Sequence, residues 1–458
     1  MSHRDAHSLV HLHAGCLQLA LRGLLRRVTW GGLAFREDCT WSPRLLAIAG
    51  LLWAWSDEPT LTDRFQAVRK IVLYLFPQTD LAGSYQAFTK MLRRWTPLLI
   101  PRLQSALRQQ MQQELAGCWH VLEWVMFGVD GSRAELPRTR SHEQAYSAIR
   151  KARRRAGRGR RKAAAHHKKS NSPQLWLTTM WHVGTGLSWD WRIGPADSSE
   201  RQHLLEMLPS LPPGALIAAD AGFVGYEYVQ AILGSGRQLL LRIGSNVRLL
   251  KKLGYARESS QTVYLWPDEA ARRRQSPLVL RLVVAHNGKH PVFLLTSLPT
   301  LQLGDRQVIA LYARRWGIEV FYRHLKQTFQ RRKLRSTRAE HARLELEWSL
   351  AGLWAMSLYA LLQMQGQGLS PQRLSVAQTL RAFRRILRDY RHPIEAGCSL
   401  RQRLRVALID AYPRRCKTSR DYPRKKQERP PGPPHIILAS TSQKQLARSI
   451  HSETLKNG

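Results

Sequence analysis

Two aspartates and one glutamate carry the chemistry-bearing pattern of this sequence. Asp130 and Asp220 each close a short apolar run, Val121 to Val129 and Ala215 to Ala219. Each then opens a glycine-containing turn, Asp130-Gly131-Ser132 and Asp220-Ala221-Gly222. Runs of this kind read as buried strands, so both carboxylates are expected just past a strand end, in the crevice where open α/β sheets place ligands. An unpaired, desolvated carboxylate is costly. Two brought together repel, and one pKa rises unless a cation lies between them. Mg²⁺, hard and oxygen-seeking, is the natural neutraliser. Taken singly, either Asp also reads as an ordinary turn residue. The third carboxylate lies in a segment expected to be one long helix, Asp305 to Gln330. Tyr312, Arg315, Glu319, Tyr322 and Lys326 follow one another at i+3 and i+4 steps and share a stripe. An apolar stripe of Leu311, Ile318, Phe321, Leu325 and Phe329 runs beside it. Glu319 could complete a metal site, and Arg315 and Lys326 could grip phosphates on either side of a scissile bond. An exposed face with an Arg315–Glu319 ion pair would explain the charges but not the tyrosine.

These residues need a scaffold, and the pattern supplies a mixed one. After Val121 to Val129, a hairpin is expected from Gln174 to Val183 and Leu187 to Ile193, turning at Gly184-Thr185-Gly186. A short helix follows at Ser198 to Leu208. Then come a strand at Ala215 to Ala219, a helix at Tyr226 to Leu233 and a strand at Gln238 to Ile243. The order β β β α β α β implies a mixed sheet covered by helices. Thr262 to Trp266, Leu278 to Ala285 and Val292 to Thr296 form a strand-rich insertion. The first 118 residues read as helical, as do His341 to Met364 and the basic segments beyond it.

Composition points to the partner. The chain has 458 residues, with 72 Lys plus Arg against 32 Asp plus Glu, a net charge of +40. Surfaces built only for solubility keep the net charge to a few units, so a polyanion is implied, nucleic acid before membrane. Eleven basic residues and no acid stand between Arg150 and Lys169, and residues 366–458 hold 20 basic and 6 acidic residues. Both segments suit phosphate contacts. At 43% hydrophobic the chain can bury a large core, which excludes a disordered basic protein. The five Cys form no CxxC pair, which argues against a disulfide scaffold or zinc finger and suits a reducing cytoplasm. The N-terminus shows no signal-peptide pattern. The longest uncharged apolar stretch, Leu350 to Leu362, falls short of the roughly 20 residues needed to cross a bilayer, so no membrane partner is expected.

Here the sequence resembles a known family. Tyr312, Arg315, Glu319 and Lys326 fit without a gap the Y-R-E-K signature of bacterial DDE transposases, more narrowly of the insertion-sequence-four family. The segments at Asp130 and Asp220 resemble that family's two Asp motifs, and the resemblance covers about residues 120 to 365. It implies an RNase H-like, retroviral-integrase-type catalytic core with a β-rich insertion. It also implies two Mg²⁺ ions, with Mn²⁺ as a possible substitute, on Asp130, Asp220 and Glu319. No covalent protein–DNA intermediate is then required. Tyr312, Arg315 and Lys326 match the family's phosphate-contacting positions beside the cleavage site. Arg323 on the same helix, and Arg242 with Asn246 past a strand near the crevice, are further DNA-contact candidates. The family is associated with a hairpin intermediate, in which a flipped base would stack on an aromatic residue; Trp266, in the insertion, is a candidate that reads more readily as a core or surface aromatic of the insertion.

The resulting fold class is mixed α/β, or α+β. Residues 1–118 form a helical N-terminal DNA-binding domain, with Arg64, Arg69, Lys70, Lys90, Arg93 and Arg94 as candidate contacts. Residues 119–243 are the first part of the core, with a basic loop at 133–172, and 244–300 are the insertion. Residues 301–365 complete the core and carry Glu319, and 366–458 are a basic, partly disordered C-terminal region. The expected partners are double-stranded DNA, as element ends and target, and a second copy in a synaptic homodimer, within a bacterial cytoplasm at the nucleoid. An inactive, transposase-derived DNA-binding protein is the alternative, disfavoured by the intact triad. A nucleoid-type binder acting by charge alone would not need the Tyr-Arg-Glu-Lys stripe.

Overall fold

The computed structural model describes residues 17–33, 35–36, 39–79, 81, 83–147, 172–286, 290–389, 400–407 and 432–457. The basic run from Arg150 to Lys169 and most of the segment 390–431 lie outside the described residues. The N-terminal helices are α1 (17–25), α2 (Pro43–Trp55), α3 (Leu61–Leu75) and α4 (Tyr85–Glu114). Ser42, Thr60 and Ser84 cap the last three, each side chain accepting from the backbone N–H three residues on.

Ten strands build one sheet. They are β1 (Met126–Glu135), β2 (Gln174–His182), β3 (Leu187–Gly194), β4 (Leu216–Ala219), β5 (Gln238–Ile243), β6 (Arg248–Lys251), β7 (Thr262–Leu265), β8 (Leu278–His286), β9 (Pro291–Thr296) and β10 (His435–Leu438). Their spatial order is β10-β6-β7-β8-β9-β5-β4-β1-β2-β3. β1, β2 and β3 form an antiparallel meander, while β4 and β5 run parallel to β1. The helices that follow are α5 (Arg140–Tyr146), α6 (Glu200–Met207), α7 (Tyr226–Gly234), α8 (Asp268–Arg272), α9 (Asp305–Arg314), α10 (Gly317–Arg323), α11 (Ala339–Gln365), α12 (Val376–Asp389), α13 (Leu400–Ala407) and α14 (Thr441–Asn457).

Helix α11 is buried along most of its length, so apolar residues occupy every face. Its N-terminal neighbours approach it through glycines. A β-carbon on Gly50 would collide with the Trp348 ring, and one on Gly352 would lie 2.9 Å from the side chain of Ala54. The Trp55 indole N–H donates to the Gly352 carbonyl at 2.8 Å. One core cluster therefore runs from Leu17 through the sheet to Leu404. Among the described residues, no helix is long and apolar enough to cross a membrane.

Two local readings of the sequence are corrected. The first strand spans Met126–Glu135, not Val121 to Val129, because 121–124 are occupied by a small bridge between Val121 and Trp124. The strands expected after Gly244 are present, and β9 pairs with β5, so they continue the main sheet. The expected helix from Asp305 to Gln330 is broken. Between Tyr312 and Glu319 the backbone bonds tighten to i,i+3 spacing, as in Ile318 N–H to Arg315 carbonyl at 3.1 Å. After Arg323 they widen to i,i+5 in a π-turn over His324–Thr328. Such turns interrupt a helix to re-aim its side chains.

Candidate active site

The site grows from the pairing of β1 with β4. These parallel neighbours are in register at Gly128 and Ala218, where the pairing ends. Two residues further on each strand stand Asp130 and Asp220. Side chains alternate along a strand, so both aspartates point to the face on which Gly128 and Ala218 lie. β4 has ended by then, whereas β1 continues beside β2, with Asp130 opposite Thr179. Asp130 is thus in mid-strand on an open edge and not past the strand end. Asp220 is past its strand, and its Oδ1 accepts from the Gly222 N–H at 2.9 Å. Asp130 Oδ1 accepts from the Gly131 N–H at the same distance.

Helix α10 lies across that face. A β-carbon on Gly128 would be 3.7 Å from Cγ of Arg315, so the glycine leaves room for the arginine stem. Arg315 is 9% exposed, its guanidinium lies 5.5 Å from the centre of the Tyr312 ring, and it pairs with Glu319 at 3.5 Å. Gly317 sits against Trp181, which is paired with Gly128 in the sheet and follows a register shift between Met180 and Trp181. The buried Tyr322 hydroxyl donates to the Asp130 carbonyl at 2.7 Å and accepts from the Thr179 N–H at 3.2 Å. Two tight contacts, Gly317 on Trp181 and Tyr322 on Asp130, hold the glutamate-bearing helix over the aspartate-bearing strands.

The electrostatics tie the three carboxylates together. Burial pushes Asp130 up to about 6; Asp220 and Glu319 add to the rise, while the Gly131 N–H and Arg315 oppose it. Glu319 is also raised, chiefly by burial and further by Asp220, against the pull of Arg315. Lys326, on the π-turn, is lowered by burial and by Arg332, while Glu135 and Asp130 act the other way. Tyr312 is raised by burial and lies in the fields of Arg315, Arg242 and Asp220. Asp130, Asp220, Glu319, Arg315, Tyr312, Arg242 and Lys326 are thus linked, each through the field of at least one other, around the cleft left where β4 ends.

Arg323 is exposed on α10 and Asn246 is exposed in the β5–β6 turn. Trp266 is 3% exposed, packs with Tyr226 and Tyr264, and donates its indole N–H to the Gln275 carbonyl at 2.8 Å. It is a core aromatic of the strand-rich segment. Arg64 is also internal: it is 2% exposed, donates to the Glu58 carbonyl at 2.9 Å, and is lowered to about 9, chiefly by burial.

One carboxylate was not legible in advance. Glu200, in the first turn of α6, approaches from the opposite face. Its carboxylate fills the space a β-carbon on Gly131 would need, and Oε2 lies 3.8 Å from the corresponding point on Gly222. Burial raises it to about 7, with Asp130 and Asp220 adding to the rise. In the sequence it reads as an acid of a helix first turn, behind the Ser199 cap. The cleft offers only carboxylate oxygens as anionic donors, the preference of a hard divalent ion. Among the described residues, no three His, Cys, Asp or Glu side chains are gathered tightly enough to hold a metal ion.

Comparison with known proteins finds transposases. Residues 127–354 match the family model of the transposase DDE domain. The chain is 26% identical over 234 residues to transposase InsG for insertion sequence element IS4 of Escherichia coli (strain K12), across 47% of this chain and 51% of that protein. It thus matches about half the length of that curated relative. Among solved structures it is similar to the piggyBac transposase in a synaptic complex with hairpin DNA, at 14% identity and a TM-score of 0.41, covering 88% of each chain. A superposition that loose decides nothing about this chain.

Proposed function

We propose that this chain, a DDE transposase by its domain at residues 127–354, cleaves the ends of an insertion element by metal-dependent phosphodiester hydrolysis and joins the freed 3′-OH to target DNA. The observation that carries this reading is that Asp130 and Asp220 each stand two residues beyond the paired Gly128 and Ala218, beneath the helix that bears Glu319. The meander β1–β3 with β4 and β5 parallel to β1 supports an RNase H-like core. Residues 1–118 are proposed as the helical DNA-binding domain, 119–243 and 301–365 as the core, 244–300 as its insertion and 366–458 as a basic C-terminal region.

Asp130, Asp220 and Glu319 would hold two Mg²⁺ ions. When bound, these ions activate the attacking water or 3′-hydroxyl and stabilise the leaving oxygen. The chain's own residues do the rest. Tyr322 holds the Asp130 backbone and Arg315 pairs with Glu319, which fixes the strand and the helix from which the three carboxylates would close on a cation. Tyr312, Arg315 and Lys326 bind phosphates beside the scissile bond, and Arg242 and Arg323 extend that contact. Alignment for in-line attack requires such positioning. Glu200 behind the aspartates deepens the negative charge of the cleft, so cation binding draws together groups that otherwise repel. We further propose a synaptic homodimer on double-stranded DNA, a cut-and-paste route through a hairpin intermediate, and action at the bacterial nucleoid.

Cleavage of DNA carrying the element ends, with Mg²⁺, compares wild type with Glu319→Ala. Loss of about 10²-fold or more in rate is expected for the variant. Equal rates would remove Glu319 from the chemistry.

A further inference from the structure

Glu200 brings a fourth carboxylate to the two aspartate loops, from an element that carries none of the other three. Helix α6 starts at Glu200, behind the Ser199 hydroxyl that accepts from the Gln202 N–H. The carboxylate lies against Gly131, the residue after Asp130, where a β-carbon would collide with Oε1. At the second loop, the point that a β-carbon on Gly222 would occupy lies 3.0 Å from Asp220 Oδ1 and 3.8 Å from Glu200 Oε2. The two glycines thus leave a cradle beside the aspartates, and the Glu200 side chain fills it.

The next residue fastens the helix in this place. Arg201 Nε donates to the Gly222 carbonyl at 2.7 Å, and its guanidinium lies 5.3 Å from the centre of the Tyr228 ring. Glu200 itself has neither a hydrogen-bond donor nor an ion-pair partner among the described residues. A carboxylate set unpaired beside two others is costly, and a cation shared with them removes the cost. An acid placed only to favour the N-terminus of α6 would need no cradle at Gly131.

We propose that Glu200 is a fourth ligand of the metal ions assigned above to Asp130, Asp220 and Glu319, an inference that rests on that reading of the cleft. All four donors are carboxylate oxygens, the set that a hard divalent ion takes. Two divalent ions bring four positive charges, one more than three acids balance, and Glu200 supplies the fourth negative charge. Because α6 and α10 approach the aspartates from opposite faces, Glu200 and Glu319 would close on the cations from two sides.

The probe is Mn²⁺ alone, added to the full chain without DNA, with free Mn²⁺ measured by electron paramagnetic resonance. Glu200→Gln keeps the size of the side chain and removes its charge. It is expected to bind Mn²⁺ at least about tenfold more weakly than wild type, a loss typical even of residues that only support a metal ligand. Its thermal midpoint in EDTA is expected to be no lower than that of wild type. The same weakening is expected at about 1 M salt, where the Debye length is about 3 Å and distant charges are screened. Asp130→Asn is the reference. If Asp130→Asn binds weakly and Glu200→Gln binds like wild type, Glu200 is not a ligand and the three-acid reading stands. If wild type binds no Mn²⁺, or Asp130→Asn binds it like wild type, that reading fails and this inference with it. A weakening that vanishes at high salt, or that comes with a lower midpoint in EDTA, also overturns the proposal, because distant charge or a damaged fold would then explain it.

Discussion

The hydroxyl of Tyr322 spans two strands: it donates to the carbonyl of Asp130 on β1 and accepts from the N–H of Thr179 on β2. Removing it in Tyr322→Phe takes one hydrogen-bond partner from each of these two backbone groups, at about 0.5–1.5 kcal/mol for a typical hydrogen bond. The variant is expected to unfold at lower denaturant by that amount. It should also cleave DNA more slowly, because Asp130 loses its anchor. Unchanged stability would mean that the hydroxyl does not hold the strand.

The carboxylates give the stability a pH dependence. Asp130 lies at about 6 and Glu200 at about 7, above the value of about 4 for a carboxylate in an unfolded chain. Folding therefore favours their protonated forms. The stability this contributes is complete below about pH 4 and is lost as pH rises through the folded-state values. In EDTA, the thermal midpoint is expected to fall from about pH 5 to about pH 8, and Asp130→Asn or Glu200→Gln should flatten the fall. Added Mg²⁺ should restore wild type at the upper end, since a ligand of the folded state stabilises it. A profile identical in wild type and both variants would contradict the crowding of these groups.

Gly317 has no room for a side chain. In Gly317→Ala the new methyl meets the Trp181 ring, and overpacking of this kind costs about 1–3 kcal/mol. Cleavage should fall more than stability suggests, because the displaced element carries Glu319 two residues later. Trimming the partner in Gly317→Ala, Trp181→Leu should recover part of both losses. A double variant no better than the single one would show that the ring is not the obstacle.

Deleting Arg150 to Lys169 removes eleven positive charges. DNA affinity is expected to fall. The slope of log affinity against log salt should become shallower by about 0.9 for each phosphate that the run neutralises. Titrations at several salt concentrations measure the slope directly, and an unaltered slope would take the run off the DNA.

The sequence was most informative where local pattern and tertiary role coincide. Asp220 could be placed because an apolar strand ends one residue before it. The sheet around it followed from the order of strands and helices. Asp130 was harder: the apolar run stops at Val129, but β1 goes on to Glu135 because β2 keeps pairing with it. Hydrophobicity reports burial, and in that half of the strand only Ala134 is buried although every residue is paired. The i+3 and i+4 spacing put Tyr312, Arg315, Glu319 and Lys326 on one stripe of an expected helix. It could not reveal that tight turns at 312–319 and a π-turn at 324–328 break the helix, because those depend on Trp181 and on the sheet below. Glu200 was invisible for a similar reason. Nothing local separates it from any acid in a helix first turn, and only its meeting with Gly131 and Gly222 brings it to the cleft.

The shared spacing of Asp130 and Asp220, each two residues beyond the paired Gly128 and Ala218, also limits how genes for this protein can change. One extra or missing codon between Gly128 and Asp130, or between Ala218 and Asp220, would turn that carboxylate to the reverse side of the sheet. Sequence can drift at neighbouring positions, but spacing there cannot. On the proposed function, diverged copies that gained or lost a residue in either short interval should lack cleavage of element ends.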